Sequence, residues 1–102
     1  AFLTRPSAAS ESATVQVLNA TETGGLAGRI SLELEQAGFT MIPAGNAVTT
    51  GLAKTVVYNV NNKPRTAQRV ASQLNATVQQ GAPPGEEVGA DIVVLLGEDA
   101  VK

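Results

Sequence analysis

Hydrophobic positions recur along this chain with two different spacings, which predict strands and helices in alternation. Residues 14–18 alternate in part between apolar and polar side chains, and the turn formers NATETGG follow. This pattern predicts a first strand over 14–18. From residue 26 the spacing becomes helical, and Gly38 ends the pattern. The apolar positions that share one face of this predicted helix are Leu26, Ala27, Ile30, Leu34 and Ala37.

The same alternation continues through the middle of the chain. Residues 39–42 predict a short second strand, which Pro43 stops. The stretch KTVVYNV, residues 54–60, is rich in β-branched residues and predicts a third strand. A second helix is expected to begin at Pro64, because the first turn of a helix tolerates proline.

The polar positions of this second helix follow the same helical spacing. Asn62 or Thr66 is the expected cap. The expected inner face carries Ala67, Val70, Ala71 and Leu74, and the opposite face carries Arg65, Arg69 and Gln73.

The end of the chain completes the predicted sheet. Residues 77–80 are compatible with a brief edge strand, and the apolar run DIVVLLG, residues 91–97, predicts a strand in the sheet centre. The resulting order, β-α-β-β-α-(β)-β, predicts a two-layer α/β sandwich with a mixed sheet of four to five strands and two helices on one face. Residues 1–13 are small and polar, and we expect a flexible linker there, following a removed membrane anchor because the chain starts with Ala1. Residues 14–100 form the predicted domain.

Composition narrows the chemistry that this domain can perform. The 102 residues suit one domain, and 43% of them are hydrophobic against 16% charged. The absence of cysteine and histidine excludes disulfides, thiol nucleophiles, thiolate zinc sites and imidazole proton shuttles. A net charge of −2 and only 3% aromatic residues make nucleic acid an unexpected partner.

The turn before the first predicted helix resembles part of a nucleotide-binding fingerprint. That fingerprint needs G-x-G-x-x-G directly after a strand. Gly25 and Gly28 match the last two positions, but Thr23 occupies the first, and residues 43–46 carry no acidic residue for a ribose. No lysine supports a P-loop either. We therefore expect no cofactor.

A structural role explains the same residues more simply. Thr21 or Thr23 is expected to cap the helix, Gly24 and Gly25 to make the turn, and Gly28 to allow close packing of the helix on the sheet. The backbone N–H groups near Thr23, Gly24 and Gly25 remain a candidate anion site, because helix starts attract anions.

Basic residues supply the other candidate binding surface. Arg65 and Arg69 are four residues apart on the outer helix face, and Arg29 or Lys63 is expected nearby, so these four cations are candidates for gripping an anionic polymer. The alternative is that they only keep a solvent-facing helix soluble. No metal is expected, because the acidic residues near the last loop and last strand lack the alternating ligands of a calcium loop. These acidic residues are Glu86, Glu87, Asp91, Glu98 and Asp99.

Several of these stretches together resemble the LytR C-terminal domain family over about residues 14–100. The most specific are the V-x-V-L-N start with its glycine-led helix and the D-I-V-V-x-L-G end; the KTVVYNV strand and the AQRVASQLNA helix add to them. The composition and length are similar to single-module mycobacterial members associated with envelope integrity and virulence. The catalytic domain of the larger LytR–CpsA–Psr ligases has no counterpart in these residues.

The resemblance implies a noncatalytic, extracytoplasmic module tethered to the membrane through a segment absent from this chain. It implies binding to wall polymer, such as peptidoglycan or a linked glycan, or to wall-assembly proteins such as LytR–CpsA–Psr-type ligases. It further implies support of envelope integrity, with effects on vesicle release and virulence. The alternatives are a scaffold that docks wall-synthesis proteins without touching polymer, and a small nucleotide- or phosphosugar-binding enzyme domain that uses the Gly24–Gly28 turn.

Overall fold

Two α-helices and six strands make up the domain in the residues that the structure, a computed structural model, describes: 13–48, 50–83, 85–86 and 89–100. A short 3₁₀ turn, Glu98–Ala100, follows the last strand. The helices are α1 (Leu26–Gln36) and α2 (Pro64–Leu74). The strands are β1 (Thr14–Asn19), β2 (Thr40–Met41), β3 (Gly45–Asn46), β4 (Val56–Asn59), β5 (Thr77–Gln80) and β6 (Ile92–Leu96).

The strands form one mixed sheet in the order β2-β1-β6-β4-β5, with β3 also paired to β1. Strand β1 is parallel to β2, β3 and β6, whereas β4 is antiparallel to β6 and parallel to β5. This architecture confirms the predicted α/β sandwich, the central position of β6 and the edge position of β5. The strand count is higher than predicted because the edge beside β1 is divided into β2 and β3.

Two β-α-β units flank the central strand. The units β1-α1-β2 and β4-α2-β5 run in opposite directions, because β6 is parallel to β1 and antiparallel to β4. Crossovers between parallel strands are right-handed as a rule. Two such units of opposite direction extend outward to opposite edges of the sheet and place their helices on the same face. The topology therefore explains why both helices cover one side.

The main core lies between this face and the helices. The alternation of side chains sends Val15 and Val17 of β1, and Ile92, Val94 and Leu96 of β6, toward the helix side. The remaining buried members of this cluster are Leu26, Ala27, Ile30, Leu34, Val57, Ala67, Val70 and Ala71. This list contains the predicted inner faces of both helices except Ala37, which is exposed, and Leu74, which is half-buried. Ala37 is the C-cap of α1, one position after the last helical residue.

A second, smaller cluster covers the opposite face of the sheet. Val93 and Leu95 of β6 meet Leu18 of β1 there, together with Ala20 and Ala47. Leu52, Tyr58 and Val60 pack against this cluster. All five residues of β6 are consequently buried, which accounts for the continuous apolar run that marked it in the sequence.

The edge beside β1 departs from the prediction of one strand over 39–42. Only Thr40–Met41 pairs there, and pairing resumes at Gly45–Asn46 after Pro43, which has no N–H to donate. Three residues, 42–44, stand opposite two, 16–17, so the edge contains one extra residue. The predicted second strand was therefore right in place but incomplete.

The helix starts correct three local predictions. The N-cap of α1 is Gly25, at φ 78°, without a side-chain cap, so the expected threonine cap is wrong. Gly28 is exposed, and a Cβ there would meet no atom within 4 Å, so close packing on the sheet is wrong as well. Lys63 is the N-cap of α2, in place of Asn62 or Thr66, although Pro64 begins the helix as predicted.

The predicted linker over residues 1–13 lies outside the described residues except for Ala13, which is buried. Within the described ranges, neither helix has the length and apolar character needed to cross a membrane.

Candidate functional site

The loop between β1 and α1 is held by the side chain of Asn19, which is buried at the end of β1. Its Oδ1 accepts hydrogen bonds from the Thr21 N–H (2.9 Å) and the Thr21 hydroxyl (2.6 Å). Its Nδ2 donates to the Thr23 carbonyl at 2.7 Å. The Thr21 hydroxyl in turn accepts from the Thr23 N–H at 3.1 Å. The threonines therefore order the loop before the helix instead of capping it.

Two small clefts lie at this corner and share Asn19 and Asn46. One, of about 240 Å³, is lined by Asn19, Thr21, Glu22, Thr23, Gly24, Asn46, Ala47 and Thr50. The other, of about 260 Å³, is lined by Asn19, Gly25, Ala27, Gly28, Ala44, Gly45 and Asn46. The one charged residue that lines them is Glu22, and an acidic side chain disfavours an anion. The corner that holds the candidate anion residues Thr23, Gly24 and Gly25 therefore has no cation among its lining residues.

Of the glycines in this turn, Gly25 has a backbone reason for its identity. Its positive φ lies in the left-handed region, which side chains with a Cβ rarely adopt. Its carbonyl accepts the Arg29 N–H at 3.1 Å, the first hydrogen bond of α1. The glycine turn therefore reverses the backbone and starts the helix, in agreement with the structural interpretation of its role.

A different surface is formed by the outer face of α2. Pro64, Arg65, Gln68 and Arg69 line a groove of about 350 Å³. Arg69 also lines a second groove, of about 280 Å³, together with Ala37, Phe39, Ser72 and Gln73. The structure therefore brings Arg65 and Arg69 onto one groove, as their spacing predicted, and Arg69 joins that groove to the end of α1.

The sequence around this surface is free of acidic residues. No Asp or Glu occurs between Glu35 and Glu86, and Lys63, Arg65 and Arg69 fall within this interval. Lys63 and Arg65 lie at the start of α2, where the helix dipole favours acidic side chains over basic ones. Two of these cations, Arg65 and Arg69, lie on the outer face of α2.

Lys63 is partly engaged by a neighbouring carboxylate. The Asn61 amide donates to Asp91 Oδ1 at 2.9 Å, and this hydrogen bond is the main cause that holds the pKa of Asp91 below its usual value. The Thr14 N–H, 3.1 Å from Oδ2, and the nearby charge of Lys63 lower this pKa further, against the opposing effect of burial. Lys63 consequently supports the junction of β1, β4 and β6 and lines neither α2 groove.

Arg29 is separate from the other candidate cations. Its Nη2 donates to the Ala100 carbonyl at 3.4 Å, and it lines neither α2 groove. The reason is topological: Arg29 is in the first turns of α1, after the carboxyl end of β1, whereas α2 begins after β4, which runs the opposite way. Of the four cations, the structure groups Arg65 with Arg69.

Three of the acidic residues that were considered as metal ligands, Glu86, Asp91 and Asp99, accept hydrogen bonds from the protein. Asp99 Oδ1 accepts from the Thr55 N–H (2.9 Å) and hydroxyl (2.7 Å), and Glu86 Oε1 accepts from the Val48 N–H at 2.8 Å. Across the part of the chain that the structure describes, no three acidic side chains are grouped as a metal site would require. Glu87 lies outside the described residues.

Two residues at these sites were not identified from the sequence. Asn19 stood in the V-x-V-L-N motif, but its three side-chain bonds depend on a loop conformation that periodicity does not show. Phe39 was assigned only to a strand. Its position beside Arg69 depends on where α1 ends relative to α2 on the sheet. The signal available was that one of only three aromatic residues follows Gly38 directly.

Comparison with known proteins places this architecture among cell-envelope proteins. The family described as "LytR cell envelope-related transcriptional attenuator" matches residues 12–99. The solution structure of the C-terminal domain of the mycobacterial protein RV0431 is similar at 30% identity and a TM-score of 0.59, covering 83% of this chain and 71% of that one. No curated protein matches the chain.

A second solved structure has the same fold. It is the crystal structure of the soluble domain, residues 71–217, of a conserved hypothetical secreted protein of Mycobacterium marinum, an Rv2700 ortholog. Identity is 26% and the TM-score 0.60; the similarity covers 84% of this chain but only 59% of that one. Because the family match spans nearly all the described residues, the chain belongs to the LytR C-terminal family.

Proposed function

We propose that this domain is a noncatalytic module of the cell envelope that binds an anionic wall polymer, peptidoglycan or a glycan linked to it, along the outer face of α2. The family description and the secreted relative from M. marinum support a position outside the cytoplasmic membrane. A membrane segment outside these residues would hold the module there. Loss of polymer binding would weaken the envelope, which is how the module would affect vesicle release and virulence.

The observation that carries this proposal is the pair of grooves joined at Arg69. Arg65 and Arg69 are four residues apart on α2, so they lie about 6 Å apart along the helix axis. Their grooves continue one another from Pro64 to Gln73 and on to Phe39. We call these two joined grooves the α2 track. An open surface with several contact points suits an extended polymer better than a small molecule enclosed by the protein.

Charge supports an anionic ligand on this track. Arginine binds carboxylate and phosphate groups through two parallel hydrogen bonds. None of the residues that line the two grooves is acidic. Arg65, near the start of α2, also costs the helix some stability, about 0.3–1 kcal/mol at low salt. A binding role accounts for that cost.

The groove chemistry also supports a binding role without catalysis. None of the residues that line the two grooves carries a carboxylate, thiol or imidazole. An acid–base pair for hydrolysis or transfer is therefore missing from the described lining.

Co-sedimentation with purified peptidoglycan tests the proposal. Wild-type protein is expected to sediment with the polymer, and added salt is expected to weaken this binding, because exposed charge pairs are screened. The double variant Arg65→Glu/Arg69→Glu should bind at least about tenfold more weakly. Its free energy of unfolding should fall by no more than about 0.5 kcal/mol, because both side chains are exposed and the helix dipole favours an acidic residue at position 65.

A charge-matched control separates this surface from net charge. Arg29→Glu/Lys54→Glu changes the net charge equally at two exposed positions outside the α2 grooves and should leave sedimentation unchanged. Equal losses in both double variants would contradict the proposed location. If the wild-type protein fails to sediment but co-purifies with wall-assembly proteins, polymer binding is refuted and the scaffold alternative gains support.

A further inference from the structure

The groove between the end of α1 and α2 is built by the way α1 ends. Gly38 adopts a φ of 104°, and the Phe39 N–H then donates to the Leu34 carbonyl at 3.1 Å. The N–H of Ala37 caps the carbonyl of Glu33 at 3.1 Å, and that of Gly38 caps the carbonyl of Glu35 at 3.0 Å. This backbone reversal is a common helix ending in which glycine takes the left-handed position. It fixes Phe39 against the core before any ligand arrives.

The lining of this groove combines an aromatic ring with three kinds of polar group. Phe39 is half-buried and packs against the helix-side core, while Arg69, Ser72 and Gln73 are exposed on α2. An aromatic ring offers a flat apolar surface to the C–H face of a sugar ring. Hydroxyl and amide groups supply both donors and acceptors for sugar hydroxyls and acetamido groups.

Arg69 favours an anionic ligand in this groove. The groove lies near the carboxyl ends of both helices, where the helix dipoles disfavour an anion. This effect is weak at exposed ends, and the last carbonyls of α1 are already capped. A two-pronged guanidinium–carboxylate contact supplies two parallel charge-assisted hydrogen bonds, each roughly twice as strong as a neutral one. Glu33 and Glu35 lie on the same helix end but line neither α2 groove.

We propose that this groove is a subsite for a pyranose ring that carries a carboxylate: the ring stacks on Phe39 and the carboxylate binds Arg69. The assignment rests on the proposed function, because it names the unit of the polymer that the two grooves recognise. In peptidoglycan this unit is a muramic acid without its stem peptide, because the peptide otherwise converts the lactyl carboxylate into an amide. Ser72 and Gln73 hydrogen-bond the substituents of the ring. Arg65, in the neighbouring groove, contacts the next unit of the polymer. It is not required for recognition of the unit that binds Arg69.

Titration of ¹⁵N-labelled protein tests the subsite with two matched probes. One is the disaccharide of N-acetylglucosamine and N-acetylmuramic acid; the other is diacetylchitobiose, which has two similar rings without the lactyl carboxylate. The acidic disaccharide is expected to shift the amide signals of Phe39, Arg69, Ser72 and Gln73 in a saturable way. Diacetylchitobiose should bind about tenfold more weakly, because it lacks the charge-assisted contact.

Conservative variants separate the two contacts. Arg69→Lys keeps the positive charge but removes the planar guanidinium group that makes two parallel hydrogen bonds to a carboxylate. It should lower the affinity for the acidic disaccharide about fivefold or more and leave the affinity for diacetylchitobiose unchanged. Arg65→Lys is the matched control and should leave both affinities unchanged. Phe39→Leu keeps an apolar side chain of similar size but removes the aromatic ring, and it should lower the affinity for both disaccharides. The dispersed amide spectrum of each variant verifies its fold.

The outcome for the subsite can be distinguished from that for the module. If wild-type protein sediments with peptidoglycan but neither disaccharide shifts the groove signals, the subsite is refuted and the proposed function stands. A preference for the acidic probe that survives Arg69→Lys would also refute it. Failure of wild-type protein to sediment would instead refute the proposed function itself.

Discussion

At the scale of single residues, Gly97 shows why the end of the family motif is a glycine. A Cβ at this position would lie 2.5 Å from the Lys54 carbonyl carbon and 2.7 Å from its nitrogen. The Gly97 N–H donates to the buried Thr55 hydroxyl at 3.0 Å, and that hydroxyl donates to Asp99 at 2.7 Å. Two backbone segments therefore cross in direct contact after β6, and no side chain fits between them.

We expect Gly97→Ala to destabilise the domain by about 3 kcal/mol, at the upper end of overpacking costs, because the added methyl group meets rigid backbone. The change in free energy of unfolding can be measured by urea denaturation. Gly24→Ala is the matched control: its φ is not in the left-handed region and a Cβ there meets no atom within 4 Å. That control should stay within about 0.5 kcal/mol of wild type. Similar costs for both variants would contradict the backbone contact.

At the scale of elements, both β-α-β units use an asparagine at the end of the first strand to set the following helix. Asn19 Oδ1 accepts from the Thr21 N–H at 2.9 Å, and Asn59 Oδ1 accepts from the Lys63 N–H at 2.6 Å. Neither helix has a side-chain cap of its own. The strand-end amides replace that cap by ordering the loop ahead of the helix.

This arrangement predicts opposite outcomes for two neighbouring residues. Asn19→Ala should destabilise the domain by about 2–3 kcal/mol, because it removes three hydrogen bonds and leaves loop groups unpaired in a buried position. Thr23→Ala should cost less than about 0.5 kcal/mol, because Thr23 is exposed and contributes through its backbone. Thermal and urea unfolding of both variants measure the difference. A larger loss for Thr23→Ala would restore the threonine as a helix cap.

The elements also show how far the sequence could predict the fold. Helical spacing identified both helices. The unbroken apolar run identified β6 as the central strand, because a strand that is buried on both faces has apolar residues at every position. The helix caps were missed because they depend on local backbone angles, and β3 was missed because it depends on pairing with β1. The spacing of hydrophobic residues reports neither of these. Gly28 was misassigned because a glycine in a helix has the same sequence signature whether it packs closely or faces open space.

The candidate site was predicted to a similar extent. The spacing of Arg65 and Arg69 placed them on one face of α2, since positions four apart always share a face. The sequence could not show that Arg29 lies apart from Arg65 and Arg69, because its distance from α2 depends on the opposite directions of the two β-α-β units. Phe39 was not identified, because its groove forms only where the end of α1 lies next to α2 in the folded domain.

At the scale of the whole molecule, β6 joins two units of similar construction. It pairs with β1 over five residues and with β4 over four, and its side chains enter both cores. Neither unit can separate from the other without breaking one of these ladders and exposing part of the main core. We therefore expect the two units to unfold together although each has its own β-α-β topology.

Native-state hydrogen exchange of Val94→Ala tests this coupling. Val94 is fully buried in the centre of β6, and its truncation should lower the free energy of unfolding by about 2–3 kcal/mol. Exchange free energies of the most protected amides in β1 and β4 should fall by this same amount, because both strands open only with β6. Val78→Ala, in the half-buried edge strand β5, should cost less. If Val94→Ala lowers protection in one of the two strands while sparing the other, the units open independently, and β6 belongs to a single unit.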